Sequence, residues 1–441
     1  MKNYEEISDQ IIRRICECGW NAYLVGGAVR DEFLGIDASD YDVVTNALPE
    51  ELEIIFPDRS VKTFGASFLV TSIDNVDVST YRSDRNFGPG RNNCITEACL
   101  TLDEDLSRRD FTFNSLAVCP YTGEVIDPFD GKKDLKNKIV KFVGDPEKRI
   151  YEDYLRMMRA ARFVCLIEGK LDSQAFKAIY NNRGLIKEIS PERIRIELLK
   201  VMKYKKPSIF FNVLFDVGIL KIILPELYKM YGHTGGKYHS ETVDRHSLIT
   251  GDSLSHKDPI LRLAGYLHDI GKPDSFDGES FINHEKIGAD SVESVLKRFR
   301  FTIKEIERIK NLTLLHMRSI DSLTTNKAIR KFMKILSEHN ISFKDWLKLK
   351  IADKKANLAK ENYTKQEIKS LVLKVYKSKK LTPNGAFGVG DLKINGNDVM
   401  QILDIDPGKE VGIILKYLVD IIIDEPEKNE REILIKLIKN G

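Results

Sequence analysis

The 441-residue chain has no apolar run near the roughly 20 residues that a membrane span needs. Its most apolar windows, such as Val419–Ile423, last about five residues and read as core segments. The opening MKNYEEISDQ is acidic and has no apolar stretch of the kind a signal peptide carries. Charge of one sign is also lacking. Lys and Arg number 69 against 66 Asp and Glu, a net of +3, which excludes a histone-like basic protein. Six cysteines (16, 18, 94, 99, 119, 165) show no metal spacing, and Cys16 and Cys18 stand too close for a zinc knuckle. The expectation is a reduced, cytoplasmic protein. Histidine is absent before His233. Any metal in the first half must therefore be held by carboxylates, which suits magnesium, whereas the second half can build imidazole sites.

With 42% hydrophobic and 31% charged residues, the chain can bury real cores, and its length suggests about three domains. Ile7, Ile11, Ile12 and Ile15 predict a helix over residues 1–20. Strands are expected at 22–25, 41–44, 67–72, 76–81 and 115–119, and a helix at 28–34. From about residue 145 the periodicity is helical. The Gly-rich GHTGGKYHS at 232–240 and the Lys-rich stretch at 357–385 mark boundaries.

The segment LVGGAVRDEFLGIDASDYDVVT carries the first chemistry. Gly26 and Gly27 lie between a strand and a helix, where backbone amides can approach a triphosphate, and Arg30 is one turn further on. Asp40 and Asp42 are two apart, so on a strand both carboxylates face one side. Two adjacent carboxylates repel unless a divalent cation neutralises them, which is what two-metal phosphoryl or nucleotidyl transfer requires. Asp77, in the strand expected at 76–81, is a third acid.

This pattern resembles the DNA polymerase beta nucleotidyltransferase superfamily. The fuller string VGGAVRDEFLG…DYD resembles the class II tRNA nucleotidyltransferases, the CCA-adding enzymes, and their bacterial poly(A) polymerase relatives. The blocks VDVSTYRSD, LDEDLSRRDFTFNSLAV, VIDPFDGKKDL, DPEKRIYEDYLRMMRAARF and ISPERIRIELLK follow in the family's order over about residues 22–230. The family usually has Glu where Asp77 stands. The resemblance implies that Arg109, the second arginine of RRD, touches the nucleotide. It also implies that Asp153 and Arg156 read the base. At i and i+3 of one helix, the two would face the same way. A carboxylate accepts from the exocyclic amine of cytosine or adenine, and a guanidinium donates to the ring nitrogen; uracil and guanine present the opposite pattern. Arg159 and Arg162 would add phosphate or base contacts. The lysines at 200, 203, 205 and 206 could touch an RNA backbone.

In the second half, His246, His268-Asp269 in LRLAGYLHDIGKP, His284, His316 and Asp353 run in the order of the HD superfamily of metal-dependent phosphohydrolases, which they resemble. Adjacent His and Asp on an apolar helix need polar partners, and a metal supplies one. His233, His239, His256 and His339 fall off this pattern.

The expected architecture is α+β, a mixed α/β head with a small sheet at 1–140. A helical neck at 141–231, an HD domain at 232–356 and a helical tail at 357–441, a place for tRNA, would follow. The resemblance implies template-independent addition of CCA to tRNA from CTP and ATP with Mg²⁺. A second phosphohydrolase site would use a transition metal or Mg²⁺. No membrane or protein partner is implied. The segment from Arg82 to Asp110, with Asp84, Phe87, Gly88, Gly90 and Arg91, is not shortened, so the terminal A is expected to be added. A poly(A) polymerase, an alarmone synthetase/hydrolase with its domains reordered, and a non-catalytic RNA-binding protein are the alternatives.

Overall fold

The computed structural model describes residues 4–38, 40–63, 69–86, 94–236, 240–321, 323–380 and 388–440. The chain forms two compact units, Met1–Tyr228 and Lys229–Gly441.

In the first unit the strands are β1 (Ala22–Val25), β2 (Asp42–Thr45), β3 (Val61–Thr63), β4 (Val70–Ile73), β5 (Val76–Thr80), β6 (Arg82–Asn86), β7 (Cys94–Ala98), β8 (Ala117–Cys119), β9 (Glu124–Ile126), β10 (Ile139–Val140) and β11 (Lys170–Leu171). Seven of them form one sheet in the order β3-β4-β5-β2-β1-β8-β9; β6 with β7 and β10 with β11 form separate pairs. The β-branched runs DVVT and VDVST explain the centre. Val43, Val44 and Val78 are buried, whereas Asp42 and Asp77 are exposed. Ile11, Ile12 and Ile15 of the helix Tyr4–Glu17 are buried as well, and this helix lies against β1, β2 and β5. The structure therefore has the mixed head and small sheet that the sequence predicts, followed by helices.

Two local expectations change. Asp40 lies before β2, which starts at Asp42, since neither Asp40 nor Tyr41 is in strand conformation. The single helix expected through 152–156 is two. The helix Pro146–Glu152 ends at Asp153, whose φ of −152° is extended, and a second helix runs Arg156–Ile167. Phe163 of that second helix packs edge-on against Phe111 and Phe113 at 5.2 and 5.4 Å, tying the RRDFTF block to the helical part. Of the long link between Arg82 and Asp110, residues 87–93 and the side chain of Asp84 lie outside the described residues, as does His239.

The second unit is helical. The helices Val243–Ser253, Pro259–Leu267, His284–Arg298, Ile303–Leu315 and Phe343–Ala356 surround the histidines. Leu415, Leu418, Val419, Ile422 and Leu434 build a separate tail core. Arg330, buried, donates from Nε and Nη2 to the Ile423 carbonyl at 3.0 and 2.8 Å, satisfying an otherwise open helix-end acceptor. Among the described residues no helix is long and apolar enough to cross a membrane.

Candidate functional sites

In the head, strand register does the assembly. Parallel β2 and β5 set Asp42 directly beside Asp77. Laterally paired residues share a sheet face, so the two carboxylates stand next to each other. The Asp42 carboxyl is open to solvent yet closely flanked by protein. Its pKa is raised by desolvation first and then by the charges of Asp77 and Asp40, with Arg109 opposing. Gly26 has φ +72°, a left-handed conformation that side chains rarely adopt, and a Cβ there would lie 3.2 Å from Arg109 Nη1 and 3.7 Å from Asp42 Oδ2. The Gly-Gly turn, the acids and Arg109 are thus brought together. Arg109 donates from Nη2 to Asp105 Oδ2 at 3.1 Å, while its buried Nε has no hydrogen-bond partner. Asp105, fully buried, also pairs with Arg108 at 3.1 Å, and the two arginines outweigh its burial and lower its pKa.

Several arginines expected to face a nucleotide are engaged elsewhere. Arg30 is buried; it donates to Asn114 Oδ1 at 2.8 Å, pairs with Asp31 at 2.7 Å and stacks over Phe163. Arg162 is 6% exposed, bonded to Glu197 at 2.5 Å and to Tyr204 Oη at 2.8 Å. These partners hold the Arg162 guanidinium in the packed interior of the first unit. Arg159 holds Asp110 at 2.6 Å, and Asn114 Nδ2 donates to the other Asp110 oxygen at 2.8 Å. Burial alone would raise the Asp110 carboxyl, but Arg159 and Asn114 outweigh it and hold the pKa at about 2.

The Arg156 amide donates to the Asp153 carbonyl at 3.0 Å, but the two side chains are bonded to other residues. Asp153 Oδ2 accepts from Arg193 Nη2 at 2.6 Å and Oδ1 from the Leu155 amide at 3.1 Å. Arg156 pairs with Glu152 and donates to the Arg149 carbonyl at 2.9 Å and the Arg108 carbonyl at 3.3 Å. Local patterns in the sequence do not point to Asp105, Glu152 or Arg193. The signal for Arg193 is nevertheless present in the ISPERIRIELLK block, whose arginine sits in the first turn of the helix Pro191–Val201.

In the second unit His246, His268, Asp269, His284, His316 and Asp353 converge. His268 and His316 each end a helix, and their Nδ1–H groups donate to carbonyls of the last turn, Gly265 at 2.8 Å and Thr313 at 2.6 Å. His284 Nδ1 donates to the Phe281 carbonyl at 2.9 Å. A carbonyl only accepts, so Nδ1 is the donor in each of these bonds, and Nε2 is the ring nitrogen left to meet the other members of the cluster. Nε2 of His284 stands 3.2 Å from Nε2 of His316, and both lie within 3.5 Å of Asp269 Oδ1. His268 Nε2 and Asp269 Oδ2 are buried without a hydrogen-bond partner, although Lys272 Nζ lies 2.8 Å from the latter. His268 Nε2 and Asp269 Oδ2 stand 3.3 Å apart, and this cluster of inward imidazole nitrogens and carboxylate oxygens fits a metal ion. Two groups bring their ligand atoms within 4.8 Å of one another: His246 with His268 and Asp353, and His268 with Asp269 and His316. His246 lies between Glu241, at 3.1 Å, and Asp353, at 3.0 Å. Burial lowers its pKa, but those hydrogen bonds and the charge of Asp269 prevail and raise it to about 9. Glu241, buried, is a further residue that sequence reasoning misses.

The HDIG glycine has a geometric reason. A Cβ on Gly271 would stand 2.3 Å from the His284 carbonyl oxygen and 2.4 Å from the Gly288 amide nitrogen. Only glycine lets this turn meet the helix His284–Arg298, and that approach puts Asp269 beside His284.

Three family models match: the poly A polymerase head domain over residues 22–141, the probable RNA and SrmB-binding site of polymerase A over 170–230, and the HD domain over 237–372. A CCA-adding enzyme of Ligilactobacillus salivarius is 31% identical over 434 residues, covering 97% of this chain and 95% of the relative. One from Bacillus licheniformis is 37% identical over 214 residues, 48% of this chain and 53% of its own length. Among solved structures, the Bacillus stearothermophilus CCA-adding enzyme in complex with CTP superposes with a TM-score of 0.66 at 23% identity, covering 100% of this chain and 98% of that one. The Thermotoga maritima enzyme complexed with tRNA gives 0.56 at 17% identity, over 100% and 96%. With a relative matched from end to end and the head and HD models in sequence, the chain belongs to the CCA-adding enzyme family of tRNA nucleotidyltransferases.

Proposed function

We propose that this chain adds C, C and A to the 3′ ends of tRNA from CTP and ATP, releasing pyrophosphate. The observation that carries the reading is the register of β2 and β5, which pairs Asp42 with Asp77 beside Gly26 and Arg109. Asp40, Asp42 and Asp77 are an oxygen-only set suited to Mg²⁺. Bound there, the ions would activate the tRNA 3′ hydroxyl and neutralise charge on the leaving group. The Gly26–Gly27 backbone approaches the triphosphate, and Arg109, with its buried Nε unsatisfied, donates to it. Asp105 holds Arg109 in place. Asp153 accepts from the amine at C4 of cytosine or C6 of adenine, and Arg156 donates to the adjacent ring nitrogen. Arg193 and Glu152 brace the pair in the orientation that selection needs. Arg159 stiffens the base site through Asp110. The test is incubation with tRNA lacking its CCA end and each labelled nucleotide. Growth by C, C and A supports the reading, a long run of A indicates a poly(A) polymerase, and no incorporation refutes both.

The inward Nε2 atoms carry a second reading, a metal-dependent phosphohydrolase site. His246, His268, Asp269, His284, His316 and Asp353 would hold a divalent transition metal or Mg²⁺, which supplies an activated water and polarises a phosphoryl oxygen. Lys272, buried beside Asp269, adds positive charge for an anionic substrate. Replacing His268 and Asp269 with Ala should eliminate metal-dependent phosphate release and leave nucleotide addition nearly unchanged. Equal loss of both activities refutes a separate site.

A further inference from the structure

Glu241 lies behind the histidine cluster, on the far side of the His246 ring from Asp353. Its side chain is fully buried, two residues before the helix Val243–Ser253 that carries His246. A carboxylate taken out of water is unfavourable unless its oxygens are satisfied, and an aliphatic side chain would pack such a site better. The two Glu241 oxygens divide their work. Oε1 lies 3.1 Å from His246 Nδ1. Oε2 accepts from the Leu358 amide, 117 residues on, at 3.1 Å and from the Ser240 hydroxyl at 3.3 Å.

Leu358 stands just past the helix Phe343–Ala356, which carries Asp353. In front of Glu241 the same two elements meet again, with His246 Nε2 3.0 Å from Asp353 Oδ1. His268 Nε2 lies 3.8 Å from that oxygen. One buried carboxylate therefore fastens, from behind, the two elements whose side chains converge in front. The other rings of the cluster are held differently. Nδ1 of His268, His284 and His316 each bonds to the carbonyl three residues earlier, a contact that forms within its own stretch of chain. His246 is backed by a carboxylate, and the bond to Leu358 makes that backing long-range. A carboxylate behind a metal-ligating imidazole fixes the ring plane and the tautomer and makes the opposite nitrogen a stronger donor.

We propose that Glu241 is the positioning residue of this cluster. It holds His246 with Nδ1–H on the carboxylate and Nε2 toward a divalent cation, and it ties the end of the Asp353 helix to His246 so that both side chains reach one ion. The proposal rests on the reading above only in taking a divalent cation as the occupant, and it needs no hydrolysis. Glutamine at this position has one oxygen for two donors, so either the imidazole or the Leu358 amide loses its acceptor.

The test titrates the metal-stripped full chain with Mn²⁺ by calorimetry. Glu241→Gln should weaken binding about ten- to a hundredfold, the usual effect of losing a carboxylate behind a metal-ligating imidazole. Glu241→Ala should weaken it at least as much. A side chain that only supports the fold would lower the urea midpoint of the metal-stripped chain and leave the Mn²⁺ affinity of the folded protein as it was. Nitrogen NMR of ring-labelled histidines in the Zn²⁺-loaded chain adds a signature that packing does not move. His246, identified by the signal lost in His246→Gln, should carry its proton on Nδ1 and the metal on Nε2, and that proton should exchange faster with water in Glu241→Gln. Should the alanine variant fail to fold by circular dichroism, the near-isosteric glutamine variant decides. Equal Mn²⁺ affinity in the wild type and a folded variant overturns the proposal, as does a His246 that meets the metal through Nδ1. A wild type that binds no Mn²⁺ overturns the metal reading as well, so the two failures are told apart.

Discussion

Three glycines of the second unit form a graded test of how the HD cluster is assembled. At Gly271 an added methyl meets backbone on two sides, 2.3 Å from the His284 oxygen and 2.4 Å from the Gly288 nitrogen. No rotamer relieves that contact, so the turn and the helix His284–Arg298 must separate by about 1 Å to regain ordinary packing. Overpacking typically costs about 1–3 kcal/mol, and rigid backbone on both sides places Gly271→Ala near 3 kcal/mol. The same movement draws His284 away from Asp269 and His316, and metal–ligand distances tolerate only about 0.2 Å. At Gly288 the nearest atoms are Thr313 Cγ2 at 3.2 Å and the Gly271 nitrogen at 3.3 Å, so Gly288→Ala should cost about 1 kcal/mol. Gly412, inside the helix Lys409–Asp424, meets nothing within 4 Å, so Gly412→Ala should stabilise by about 0.5–1 kcal/mol through helix propensity. The chain has two tryptophans, and Trp346 lies on the helix that carries Asp353. In a Trp20→Phe background its fluorescence follows urea unfolding of the second unit. Calorimetric titration of the metal-stripped chain with Mn²⁺ measures the cluster. Gly271→Ala should lower the midpoint and weaken metal binding at least about tenfold, with nucleotide addition little changed. If Gly271→Ala unfolds and binds metal as Gly412→Ala does, the close approach is not what assembles the cluster.

Asp40→Ala, Asp42→Ala or Asp77→Asn should lower nucleotide addition roughly a hundredfold or more while tRNA retention in a gel shift persists; near-normal rates would remove the acid from the reaction. Arg156→Ala should raise incorporation of UTP and GTP relative to CTP and ATP, and Arg193→Ala should do so by releasing Asp153; a slow but equally selective enzyme would make these side chains structural. Asp110→Asn should cost about 2 kcal/mol at neutral pH, from a carboxyl held near 2 instead of near 4. Because the folded pKa is the lower one, this stabilisation is complete above the unfolded pKa. It is lost as pH falls toward 2, so the penalty in urea unfolding should shrink to about half near pH 3. Sequencing products from tRNA that ends before CCA should show the terminal A; products that stop at CC with ATP present would refute that expectation.

Much of the fold is legible in the sequence because the alternation of VDVST and the apolar DVVT are local patterns. In VDVST the polar Asp77 falls between two valines, so the alternation alone turns it away from the side they bury. What a local pattern cannot supply is the partner strand. Nothing in the sequence states that β5 lies parallel to β2 with Asp77 opposite Asp42, since register is fixed by long-range burial of Val43 and Val78. D-x-D reads as i and i+2 of one strand, which would put Asp40 on it, whereas the strand begins only at the second acid. The histidine order is legible, because imidazoles are rare in this chain. Glu241 is not, because one glutamate among many exposed acids carries no signal until it lies 3.1 Å from a buried ring.

Asp153 and Arg156, the pair proposed to read the base, show most clearly where local spacing stops being informative. Residues i and i+3 face one way only if the helix is continuous, and it breaks at Asp153. On an unbroken helix the two would have been free to satisfy each other, and each would then have spent the group that a base must meet. The break turns Asp153 toward Arg193, 40 residues on, and leaves Arg156 to Glu152, one turn back. Both side chains are thereby held by third parties instead of by each other. A carboxylate with one oxygen fixed by a guanidinium and the other by a backbone amide keeps further lone pairs in a set direction. An arginine anchored on a carboxylate and two carbonyls has few rotamers left. Selection without a template needs that rigidity, because a donor or acceptor free to swing would accommodate uracil or guanine as readily as cytosine or adenine. The braces are therefore as much a part of the proposed selectivity as the two residues they hold, and Arg193 and Glu152 are where a loss of discrimination can be produced without touching either one.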